Sequence, residues 1–274
     1  MVLESILDPD KARSNPWLLV LTGILFVSLA VLITLFLHLG ETSEFVLILF
    51  VTLPSIPFIL KGFQNEEINL ECGFYRRKTL ECHGPTIVYL AAFFLGLIIG
   101  FTFWYLVLNT GDVNQLFALQ QTELRTITAK FQGAFTLNAG IFETIFLQNL
   151  QVMGLIWFFS LLYGAGAIFI LVWNASVIAV FLGEFAKTYF LAEGTTTAIL
   201  KGLGFGFLGI LPHGFFELIA YLIGALSGGI LSSAIIRKVY EKKEFSYVLY
   251  DVVKLGAWAI VILAVGALIE ATGN

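Results

Sequence analysis

The chain has 274 residues, 58% hydrophobic and only 12% charged, with a formal net charge of -4 and a mean hydropathy of +0.91. A soluble domain carries roughly twice that charged fraction, so a water-soluble globular fold is excluded. The 15 Lys and Arg residues are scattered and form no basic tract of the kind that binds nucleic acid. Two cysteines, Cys72 and Cys82, are too few for a disulfide framework.

Runs of about 20 apolar residues match the thickness of bilayer hydrocarbon. They predict an all-α, polytopic transmembrane helix bundle in which some helices are short, broken or re-entrant. Residues 1–16 read as an interfacial N-terminal segment, and residues 17–274 as a single transmembrane domain. Pro16 opens the first span, which runs to about Leu39 with no small-residue cleavage site after it, so it reads as a retained helix rather than a signal peptide. The run from Phe45 to Leu60 carries Pro54 and Pro57 and returns across the bilayer. A polar loop at 61–85 holds Lys61, Arg76, Arg77 and Lys78, with the last three suited to anionic headgroups or to anchoring the cytoplasmic side.

The third span is Thr86 to about Leu108, followed by a polar stretch to about Gln132. The segment "GAFTLNAGIFETIFLQN" is too polar to face lipid and is expected to be amphipathic or re-entrant. Residues 152–183 read as one long span containing Asn174, residues 196–211 as a short Gly-rich segment, and residues 213–236 as a helix after a break. A last short span covers Leu255 to Ile269, giving about seven in all. The Lys and Arg residues that precede the first span and follow the second, together with Arg237, Lys238, Lys242 and Lys243, fall on one side if residues 196–236 form a complete hairpin. That predicts a cell-membrane protein with a cytoplasmic N-terminus.

The chemistry concentrates around "ILPHGFFELIAYLIGALSGG". His213 and Glu217 are four apart and share a helix face, which continues through Ala220, Gly224 and Gly228. Small residues at this spacing admit a second helix backbone, so the face is expected to point into the bundle or into a homodimer. Pro212 and Gly214 are expected to break the helix there and expose a new N-terminus. Asn174, Asn149 and Glu143 are polar residues in apolar surroundings, and the expectation is one buried polar cluster of His213, Glu217, Asn174, Asn149 and Glu143. Such a cluster serves either as a hydrogen-bonded pin between helices or as a pathway for a small solute or ion. A third use is a divalent metal on His213 and Glu217, which would need further ligands. Cys72, Cys82 and His83 form a weaker metal set whose spacing fits no common zinc motif. No nucleophile stands beside a base, and the His-x-x-x-Glu spacing lacks the second histidine of a metalloprotease helix.

The stretch "FLQNLQVMGLIWFFSLLYGAGAIFILVWNASVIAVFLG" followed by "GILPHGFFELIAYLIGALSGG" resembles the stage II sporulation protein M family, over about residues 140–236. The block Leu211-Pro212-His213-Gly214 with Glu217 carries the resemblance, and Asn149 fits the second residue of the family's Asn pair. Gln148 stands where the first Asn is usual, and Ala175 replaces the Gly after Asn174. The resemblance implies a membrane scaffold rather than an enzyme, since the founding members act in spore engulfment beside a cell-wall-degrading partner. The expected partners are the lipid bilayer and membrane or envelope proteins, with no nucleic acid. A small-solute or ion transporter or channel is the alternative.

Overall fold

The structure, a computed structural model, describes residues 15–73, 79–136, 140–163 and 166–273, with side chains outside the description at 64–73, 79–82, 128–136, 163, 213 and 273. The described residues form helices and no strand. They are α1 (Pro16–Leu37), α2 (Ser43–Gly73), α3 (Thr79–Val107), α4 (Thr110–Leu116), α5 (Ala118–Thr136), α6 (Ile141–Tyr163), α7 (Ala167–Glu193), α8 (Thr196–Ile236) and α9 (Phe245–Gly273). Among the described residues, seven segments are long and apolar enough to cross a membrane: Pro16–Leu37, Gly40–Phe63, His83–Val107, Ile141–Leu162, Ala167–Glu193, Gly214–Ile236 and Phe245–Thr272.

Glycine decides how α1 meets α3. A Cβ on Gly23 would lie 2.7 Å from the Phe93 carbonyl oxygen and 2.8 Å from the Leu97 nitrogen, and one on Gly96 would run into the Val20 carbonyl. The two backbones therefore touch, the approach that small residues permit in membranes. Beyond them α7 packs on α3, α8 packs on α7 and α9, and α6 packs on α8. The apolar core runs through all these interfaces, from Leu19 and Val27 to Ile230 and Leu263.

Helix ends follow local chemistry. Gly194 (φ +69) closes α7 in the left-handed conformation, and the Thr195 side chain then caps α8 by accepting from the Ala198 amide at 3.3 Å. The two helices turn back on one another: Gly202 fits against the Ala186 backbone, Tyr189 stacks on Phe205 at 5.4 Å, and Lys201 bridges to Glu193 at 2.8 Å.

Several sequence expectations are corrected, among them the polar loop at 61–85, of which the described residues belong to α2 up to Gly73 and to α3 from Thr79. Residues 152–183 are two helices, because α6 ends at Tyr163 and α7 begins at Ala167. Gly166 stands at the junction, so close to α6 that a Cβ on it would collide with the Phe159 carbonyl. The segment expected to be one amphipathic or re-entrant helix is divided between the end of α5 and the first turns of α6, so Asn149 lies inside a regular spanning helix. Pro212 and Gly214 do not break the chain into two helices: α8 continues through both for 41 residues. Proline removes one N–H donor but leaves φ helical, and neighbouring helices make such positions tolerable in membranes. The last span begins at Phe245 rather than near Leu255, which brings Asp251 and Lys254 into it.

Candidate functional site: polar groups joining the helices

Regular helical geometry aligns Asn149 of α6 with Glu217 and Tyr221 of α8, the latter two sharing a face at i,i+4. The Asn149 Nδ2 donates to Glu217 Oε1 at 2.5 Å, and the Tyr221 hydroxyl donates to Asn149 Oδ1 at 2.8 Å. One amide thus satisfies a carboxylate with its donor and a phenol with its acceptor. Glu270 of α9 lies within electrostatic reach of Glu217 and Tyr221.

The other expected members of this cluster are placed differently. Asn174 turns back on its own helix and donates to the Ile170 carbonyl at 2.8 Å. Glu143 sits exposed in the first turn of α6. The His213 side chain lies outside the described residues, as do those of Cys72 and Cys82, and with them the metal sets expected from sequence. Among the described residues, no three of His, Cys, Asp and Glu come together as a metal site.

The small-residue face of α8 closes on α6. Ala220 is fully buried. A Cβ on Gly224 would strike the Met153 sulfur, and one on Gly228 would lie 2.7 Å from Ser160 Cβ. Between them the Trp157 indole donates to Ser227 Oγ at 3.0 Å. Ala220, Gly224 and Gly228 are therefore packing residues within one chain.

Two polar junctions were not anticipated from sequence. His83 Nε2 lies 3.0 Å from Asp251 Oδ2, joining α3 to α9, with side-chain exposures of 0% and 9%. At the end of α3, the Tyr105 hydroxyl donates to Glu184 and accepts from Gln121 Nε2 at 2.9 Å, while Lys187 sits 4.0 Å over its ring. The available signal was the same in both cases: Glu184, Lys187 and Asp251 are charged residues in apolar runs, which need partners in a membrane. A small cavity between α2, α3 and α7 is lined by apolar residues including Ile59, Leu97, Ile168 and Val172.

Seven apolar crossings tied by buried side-chain bonds define a multi-pass integral membrane protein built as an all-helical bundle. Residues 89–273, more than half of the chain, match the family described as Stage II sporulation protein M, and the chain belongs to it. The match begins within α3 and so extends beyond the 140–236 core seen in the sequence motifs. A protein of Methanocaldococcus jannaschii described as uncharacterized is 26% identical over 189 residues, covering 68% of this chain and 91% of the relative. No solved structure matches.

Proposed function

We propose that this protein is a non-catalytic membrane scaffold, a rigid platform in the cell membrane on which other membrane or envelope proteins assemble. The observation that carries this reading is the pairing of Asn149 with both Glu217 and Tyr221. Its polar groups bind each other and lock α6 to α8, as a structural pin requires. The His83–Asp251 contact serves α3 and α9 in the same way. The small-residue face of α8 is occupied by α6, so a homodimer would use a different surface. The Lys and Arg distribution supports a cytoplasmic N-terminus, which N- and C-terminal reporter fusions would test.

The deciding experiment compares Asn149→Ala and Glu217→Gln with wild type. A scaffold loses thermal stability and co-purifying partners, with no change in solute flux across proteoliposomes. Flux that is present in wild type and abolished in a variant that still folds overturns the reading.

That outcome would favour a transporter. The observation supporting it is the presence of two carboxylates, Glu217 and Glu270, within electrostatic reach of each other inside spanning segments, since intramembrane acids mark ion and proton routes. A metal-dependent version of this reading predicts bound divalent metal by elemental analysis, lost on His213→Ala.

A further inference from the structure

Lys254 stands nine residues after the start of α9 at Phe245, about 14 Å along the helix, inside a segment long and apolar enough to cross the membrane. A cation at such depth is costly unless it reaches an anion or the interface. The nearest acid in sequence is already engaged, because Asp251 turns inward to His83. Among the described residues the Lys254 ammonium lies 6.0 Å from the centroid of the Tyr250 ring, at the outer limit of a cation–π interaction.

The surroundings of that cation suit a further anion. Tyr250, Lys254 and Trp258 follow one another at i, i+4 and i+8, so they form one stripe on α9. Tyr250 is 63% exposed and Trp258 52%, so the stripe faces outward from the bundle. Helical side chains lean toward the N-terminus of their helix, and lysine snorkels in that direction. For Lys254 this is toward the α8–α9 turn, where Lys238, Tyr240 and Lys243 are exposed. The turn carries Arg237, Lys238, Lys242 and Lys243 against Glu241 and Glu244, leaving it positive. Aromatic residues with polar tips beside lysines are the composition of a headgroup-level belt.

We propose that this face binds an anionic phospholipid, with the headgroup phosphate drawn between Lys254 on α9 and Lys243 in the turn, and the acyl chains lying along Val253 and Trp258. The occupant is a lipid rather than free phosphate because the stripe continues from charge into exposed apolar surface, with Val253 62% exposed. This inference is independent of whether the bundle acts as scaffold or transporter.

The test uses the full-length protein in nanodiscs of mixed phosphatidylcholine and phosphatidylglycerol, with retained lipid counted by mass spectrometry after delipidation. Wild type retains phosphatidylglycerol preferentially. Lys254→Gln lowers that preference about fivefold, the factor that one basic residue near an anionic surface supplies, and Lys243→Gln lowers it further. Lys254→Arg restores it, and this conservative variant also covers the case in which Lys254→Gln does not fold. Lys201→Gln, at the distant α7–α8 tip where Lys201 is paired with Glu193, leaves it unchanged. Equal retention of both lipids by wild type, or no difference between Lys254→Gln and Lys201→Gln, overturns the proposal. So does full displacement by millimolar inorganic phosphate, which would mark a free-anion site.

Discussion

His83 and Asp251 are 168 positions apart in the chain, yet their side chains meet at 3.0 Å where α3 passes α9, almost completely removed from solvent. The family match covers Asp251 but begins at residue 89, just beyond His83. The pair thus ties the matched region to the helix turn that precedes it. Removing one partner of a buried pair takes from the other the contact that offsets its burial, which costs more than removing both. Asp251→Ala and His83→Ala are each expected to lower unfolding stability by about 1–3 kcal/mol, whereas the double change to leucine recovers most of the loss. Chemical unfolding in detergent measures this, and strictly additive losses would show that the two groups are not coupled.

The α1–α3 crossing gives a second expectation. Gly23 and Gly96 face backbone, not flexible side chains, so neither neighbour can move aside without the helices separating. Gly96→Ala is expected to cost about 1–3 kcal/mol, the range of overpacking in a tight core. Gly154 in α6 has nothing within 4 Å of where an added methyl would sit, and Gly154→Ala is expected to gain up to about 1 kcal/mol from helix propensity. Thermal melts of the two variants should move in opposite directions.

These contacts mark where the sequence was and was not legible. The spans could be read because apolar length is itself the physical requirement for crossing a bilayer. The meeting of Asn149 with Glu217 could be anticipated because a polar residue in an apolar helix must find a partner. The division between α6 and α7 could not, since Gly164, Ala165 and Gly166 are as compatible with a tightly packed helix as with a turn. Asn174 resembled a cluster member until the fold showed it bonding to Ile170 of its own helix, the local alternative open to short amide side chains. His83 looked like part of a polar loop because its partner is supplied by α9. Nothing near it in the sequence indicates that contact.

Within the polar junction of α6 and α8, Asn149 makes two side-chain bonds and Tyr221 one. Membrane hydrogen bonds between helices are each worth about 0.6–2 kcal/mol. Asn149→Ala should therefore destabilise more than Tyr221→Phe, by about the value of one such bond. Once Asn149 is alanine, adding Tyr221→Phe should cost little. Equal effects from the two single changes would show that the amide does not bridge both groups.

The final expectation concerns how α5 is held at the ends of the spanning helices. Its first turn is fixed from below: Glu44 Oε2 of α2 accepts from the Leu119 amide at 2.9 Å, Gln120 Nε2 donates to Ser176 Oγ of α7 at 3.2 Å, and Gln121 reaches Tyr105 of α3. A carboxylate on an otherwise unsatisfied helix N-terminal amide acts as a cap supplied by another helix. Loss of a cap costs about 1 kcal/mol, or roughly fivefold in the local opening equilibrium. Glu44→Ala should speed amide exchange in the first turns of α5 by about that factor, and Gln121→Ala should add to it. Exchange in the buried middle of α3 and α7 should stay unchanged, because the apolar packing there does not depend on α5. If exchange instead rises uniformly across the bundle, α5 is part of the cooperative core and not a separately docked element.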